Sequence, residues 1–163
     1  DVLDYYNSII SRHVTDHTLM RIEEESRKKR AAPQRSGTFD AVLRDVEITS
    51  GGSPVRTVSA GEPMRVTISL VALSPLHSLT VGLIIRDRLG YDIFGTNTHR
   101  LNHQLPPLHT GQELKVHFDI PARLGTGDYT ITAAAHTGAD HLEECYDWAD
   151  KFVAFKVVPS RDN

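Results

Sequence analysis

The chain has 163 residues, a net charge of −3 with nine histidines, 39% hydrophobic and 24% charged residues. That balance suits a soluble chain with enough apolar residues for one core plus an appendage. It gives no basic field for nucleic acid or anionic lipid, no apolar run of the ~18 residues that span a bilayer, and one cysteine, Cys145, with no internal disulfide partner.

The chain opens on Asp1 rather than Met, as expected of a piece of a longer protein, and it shows no cationic, apolar leader. Val2, Tyr5, Tyr6, Ile9 and His13 follow a helical i, i+3, i+4 spacing. Thr15 or Asp16 caps a second helical stretch carrying Leu19 and Ile22. Glu23, Glu24 and Glu25 sit four residues before Arg27, Lys28 and Lys29, which neutralises the one basic cluster and adds ~0.2–0.5 kcal/mol per pair. Ala31 to Thr38, with Pro33 and Gly37, breaks the helix. Residues 1–38 are therefore expected to be a helical or flexible linker.

From Phe39 the period changes from 3.6 to 2. Val42, Val46 and Ile48 begin the first strand region. Val66, Ile68, Leu70 and Ala72 alternate with Thr67, Ser69 and Val71, and Leu79, Val81, Leu83 and Ile85 share a face. Further on, Leu114, Val116, Phe118 and Ile120 alternate with Lys115, His117 and Asp119, where His117 is expected to face solvent. Tyr129, Ile131, Ala133 and Ala135 follow, and Val153, Phe155 and Val157 close the series. Gly- and Pro-containing turns separate the runs, and Leu105-Pro106-Pro107-Leu108 marks a long loop over residues 101–111, because two prolines do not sit in a central strand. About seven short strands without intervening helices predict an all-β fold, an antiparallel immunoglobulin-like β-sandwich over residues 39–163. A barrel gives a similar pattern.

The residues suited to chemistry are few. Trp148 offers a ring face to the C–H face of a sugar, and Tyr146 and Asp147 flank it; packing in a core or interface is the plainer reading. Asn97, Thr98 and His99, with Arg100, leave the Ile93-Phe94 strand as a polar rim or as an ordinary strand exit. Arg86 can grip a phosphate or carboxylate with two parallel donors, or pair locally near Gly90. His99 and His103 have the i, i+4 spacing that shares a metal on a helix, and His136 and His141 lie near Glu143 and Glu144, but their flanks read as loop or strand, so no metal site and no cofactor are expected. Asp87, Asp92, Asp147, Glu143 and Glu144 supply carboxylates without a set separation. No nucleophile motif appears, so no enzyme is expected.

The block from Val46 to Val158 resembles the C-terminal domain of Wzt-type ATPase subunits of O-antigen polysaccharide ABC transporters. The resemblance rests on Gly61-Glu62-Pro63, Gly82 to Asp87, Ile93 to Thr98, Gly111, Leu124 to Tyr129, and Tyr146-Asp147-Trp148 ahead of Phe155-Lys156-Val157. Val2 to Asn7 looks like the tail after such an ATPase domain, and the phosphate-binding G-x-x-x-x-G-K-[ST] loop is missing from the chain. The resemblance implies a non-enzymatic β-sandwich that binds the non-reducing terminus of the O-polysaccharide and selects completed chains. It also implies a homodimer joined to a parent ATPase domain and a transmembrane transporter subunit, at the cytoplasmic face of the inner membrane without inserting into it. The alternative is a structural module that only pairs the ATPase subunits.

Overall fold

A computed structural model describes residues 4–5, 12–13, 15–30, 35–138 and 144–160. In chain order its elements are β1 (Asp4–Tyr5), β2 (Arg12–His13), α1 (Asp16–Arg30), β3 (Arg35–Ser36), β4 (Ala41–Ser50), β5 (Ser53–Pro54) and β6 (Thr57–Ser59), then β7 (Pro63–Ala72), β8 (Thr80–Asp87), β9 (Asp92–Asn97), β10 (Gln112–Pro121), β11 (Gly127–His136) and β12 (Cys145–Val158). They form two sheets. The first runs β1-β10-β7-β4-β5, with β2 also on β10, and the second runs β3-β12-β11-β8-β9, with β6 along β12. Every pairing is antiparallel except β6 with β12. The expected β-sandwich is the observed fold.

Alternation explains how the sheets meet. In the first, Leu70 lies between Leu43 and Leu114, Ile68 between Val46 and Val116, and Val66 between Ile48 and Phe118. In the second, Ile131 lies between Ile85 and Val153, and Ala133 between Leu83 and Ala149. These inward residues form one buried cluster, and each large one contributes roughly 1.5–3 kcal/mol. The Pro106-Pro107 stretch is a loop as expected, pinned by buried Leu105 and by Leu108, whose backbone exchanges two 2.9 Å hydrogen bonds with Leu76.

The N-terminal segment departs from expectation. Tyr5 and His13, read as one helical face, lie in short strands paired with β10, while Val2, Tyr6 and Ile9 lie outside the described residues. The edge of β10 away from β7 presents backbone donors and acceptors that an extended segment satisfies. The predicted second helix is α1. Thr15 Oγ1 accepts a 3.2 Å bond from the Thr18 amide, capping it. Ile22 is buried with Phe39, Val42 and Val71, so the helix docks on the outer face of the first sheet. The partners of the expected Glu–Lys/Arg pairs and the Ala31–Gln34 break lie outside the described side chains and residues.

Between β3 and β4 the chain crosses from one sheet to the other. The Thr38 and Phe39 amides donate to the Cys145 and Tyr146 carbonyls at 3.1 and 2.7 Å. Gly37 makes this crossing at φ 136°, so close to β12 that a Cβ would stand 2.3 Å from the Tyr146 oxygen.

His117 is half-buried rather than facing open solvent, with Nδ1 2.7 Å from Thr67 Oγ1. Burial first, then the charge of Arg65, lowers its pKa from the ordinary value. Above about pH 6.5 the ring is neutral in both folded and unfolded chains; as pH falls below that, the unfolded chain takes up the proton first. Stability is therefore expected to decline as pH drops below about 6.5 and to level off beneath the folded pKa, and His117→Gln flattens that limb in urea titrations at stepped pH. An unchanged limb in the variant contradicts the assignment.

Candidate functional site

Each β-sheet has two faces, and the outer face of the second sheet carries an open groove of about 430 Å3. Its floor is made of mostly small groups, Gly82 on β8, Gly95 on β9, and Thr132 and Ala134 on β11, with the larger Ile84 among them. Gly82 lies opposite Ala134 on one side and Asn97 on the other, so two adjacent outward positions, Gly82 and Ala134, carry little bulk. A Cβ on Gly82 would stand 2.9 Å from Asn97 Cβ, so that approach needs glycine, whereas one on Gly95 meets only ordinary contacts at 3.6–3.7 Å. Trp148, opposite Ala134 on β12, walls one side. Ile93, Phe94, Asn97 and Arg100 wall the other, and His136 also lines the groove. An indole, an amide, a guanidinium and an imidazole thus border a shallow apolar floor, which is the chemistry that holds a polyhydroxylated ring by its C–H face and its hydroxyl edge.

Arg86 ties four strands beneath the Asp92 end of this groove. Its Nε donates to Asp92 at 2.8 Å, and its Nη1 donates to Asp150 at 2.5 Å and to Thr132 Oγ1 at 3.3 Å. Thr132 Oγ1 donates to Asp150 at 3.0 Å and accepts the Lys151 amide at 3.1 Å. Lys151 takes a left-handed φ of 49°, where the β11–β12 register shifts and Thr132 faces a bulge. The hydrogen bond to Asp92, then the charges of Asp150 and Asp92, raise the Arg86 pKa against the opposing effect of burial.

The residues singled out in the sequence divide among four places. Trp148 and Asn97 line the groove together. Asn97 Oδ1 accepts the Arg100 amide at 2.8 Å, which shapes the turn after β9. Arg86 does not line the groove but holds Asp92 and Thr132, which do. Thr98 and His99 line a separate hollow of about 380 Å3 at the end of the sandwich, beside His77, Ser78, Thr80 and His103. Thr98 is 1% exposed, and its Oγ1 accepts the Val81 amide at 3.2 Å. Tyr146 and Asp147 are buried away from the groove. Asp147 is fully covered, accepts the Leu43 amide at 2.8 Å, and pairs with both Nε and Nη2 of Arg35, whose guanidinium lies 5.9 Å from the Phe39 ring centre and 5.7 Å from that of Phe152. The triplet divides because neighbours on a strand point to opposite faces and Tyr146 falls at a register shift.

Of the groups considered for catalysis, Asp87 and Asp92 share the β8–β9 hairpin and Asp147 is buried. Asp87 Oδ1 accepts the Leu89 and Tyr91 amides in the β8–β9 turn. Burial first, then Asp147, pushes the Cys145 thiol up, away from the reactive thiolate. Among the described residues no three His, Cys, Asp or Glu side chains gather to hold a metal ion; His141 and Glu143 lie outside them. No described helix is long and apolar enough to cross a membrane.

The chain is thus a two-sheet β-sandwich with an open groove on one outer face. The model of the Wzt C-terminal domain family matches residues 32–163, and the chain belongs to that family, whose members are parts of O-antigen ABC transporters associated with an ATPase domain and a transmembrane subunit. Among solved structures, the C-terminal domain of wzt superposes with a TM-score of 0.72 at 19% identity, covering 77% of this chain and 78% of that one. A Niemann-Pick type C2 protein from Japanese carpenter ant gives 0.51 at 12% identity over 75% and 96%. At these identities the likeness shows the fold. No curated protein matches the chain.

The Arg35–Asp147 pair makes a direct prediction about the core. Asp147→Ala leaves a nearly buried guanidinium without its counter-charge and is expected to lower unfolding free energy by ~3–5 kcal/mol in urea. A loss under about 1 kcal/mol contradicts that role.

Proposed function

We propose that this domain binds the non-reducing terminal region of an O-antigen polysaccharide in the groove of the second sheet, so that the transporter exports completed chains. The observation that carries the reading is Trp148 standing beside a floor kept small by Gly82, Gly95 and Ala134, with Asn97, Arg100 and His136 at hydroxyl-bonding positions along it. Such a surface grips a sugar without reacting with it. The two carboxylates at the groove edge, Asp92 and Asp150, are both engaged by Arg86, which supports a role with no catalysis.

The domain works, on this reading, on the cytoplasmic face of the inner membrane as part of a homodimeric transporter, with residues 1–38 leading from the ATPase domain into a binding domain over 39–163. One site of millimolar affinity is worth about 4 kcal/mol. A second reading, a module that only pairs ATPase subunits, draws on the exposed Leu89, Tyr91 and Ile93 of the β8–β9 hairpin.

Calorimetric titration with matched O-polysaccharide and with the same polymer trimmed at its non-reducing end separates these readings. The intact polymer binds and the trimmed one does not. Trp148→Ala weakens binding by about tenfold or more, an apparent loss of about 1.4 kcal/mol. Gly95→Val, which the strand backbone accommodates, fills the groove and abolishes binding with little change in stability. Binding of neither polymer favours the pairing module; equal binding of both overturns recognition of the terminus, and full affinity in both variants overturns the groove as the site.

A further inference from the structure

The ionic groups bordering the groove cancel. Two arginines, Arg86 and Arg100, stand against two aspartates, Asp92 and Asp150. Arg86 is occupied: Asp92 takes Nε, and Asp150 and Thr132 take Nη1. An anion approaching it meets Asp92 first, a carboxylate whose side chain is 66% exposed and which itself lines the groove. Arg100 is the remaining cation of the described lining. It sits at the exposed lip, where water and salt screen a single charge. The rest of the lining mixes apolar groups such as Ile84, Ile93 and Trp148 and the glycine backbones with the polar side chains of Asn97, Thr132 and His136.

From this we infer that the groove recognises an uncharged stretch of glycan, through C–H faces laid on Trp148 and the small floor, and discriminates against uronate- or phosphate-bearing residues. The inference rests on the reading of the groove as a glycan site and narrows its substrate class. It also reassigns Arg86. Its Nε is directed at Asp92 and its Nη1 at Asp150 and Thr132, so the guanidinium serves to fix β9 and β12 about Thr132. Charge compensation of this kind acts by exclusion as much as by attraction, since the carboxylates held at Arg86 repel a second anion.

The test is an array of bacterial O-polysaccharides, neutral members beside members with a uronate or phosphate in each repeat, probed with the whole chain and followed by titration of the strongest ligands. Binding is expected to concentrate on neutral members, with Kd changing less than roughly threefold between about 20 and about 500 mM NaCl. Binding confined to anionic members, with Kd weakening about tenfold or more over that range, overturns the inference while leaving the glycan reading intact. Binding to no member overturns both. The double substitution Asp92→Asn, Asp150→Asn frees Arg86 while keeping side-chain shape. It is expected to bring anionic members into the bound set and to introduce salt dependence, and an unchanged profile in a folded double variant counts against the role given to the two aspartates.

Discussion

The register of β8 between β9 and β11 governs everything at the groove. It sets Gly82 opposite Asn97 and Ala134, and Ile84 opposite Gly95 and Thr132. A slip by one residue exchanges the two faces. Val81, Leu83 and Ile85 would then face water, and the small outward positions would face a core they cannot fill. The cluster shared with Val66, Ile68, Leu70 and Phe118 forbids that slip, so the packing of the inner faces fixes the shape of the outer one.

Polar groups then lock what the apolar ones select. Arg86 bonds to side chains from β9, β11 and β12 around Thr132, and the bulge at Lys151 brings Asp150 within its reach. At the far side of β12, Arg35 and Asp147 join the short strand β3 to the start of β4 in a nearly dry environment. Trp148 lies on the strand between these two clusters, opposite Ala134 and Ser36, which holds its indole at the groove rather than in the core. The arrangement is built before any ligand arrives, and a preformed surface of this kind reduces the ordering cost of binding a flexible polymer.

Much of this was readable from residue order alone. The alternations Val66-Ile68-Leu70, Leu114-Val116-Phe118 and Tyr129-Ile131-Ala133 are local signals with a period of two, and Gly- or Pro-containing turns bound them. Thr15 signalled its helix through a capping hydroxyl. The N-terminal helical spacing around Tyr5 and His13 misled because pairing with the edge of β10, about a hundred residues away, outweighed a weak local preference. The division of Tyr146, Asp147 and Trp148 was hidden for a related reason. A bulge decides which of them faces outward, and Asp147 finds its partner 112 residues earlier in Arg35. The groove floor had a signal that residue chemistry does not flag. Gly82, Gly95 and Ala134 are small outward positions that become meaningful only once their strands are set side by side.

The central claim is that the outer face of the second sheet, with Trp148 on its wall, is where glycan lands. Backbone and indole NMR shifts followed during titration with a short oligosaccharide from the cognate O-polysaccharide test it most directly. The account predicts that the largest changes fall on Gly82, Gly95, Asn97, Ala134 and the Trp148 indole, with the strands of the first sheet unmoved. Changes centred on β4, β7 and β10, or a silent Trp148 indole while other signals shift, would contradict it.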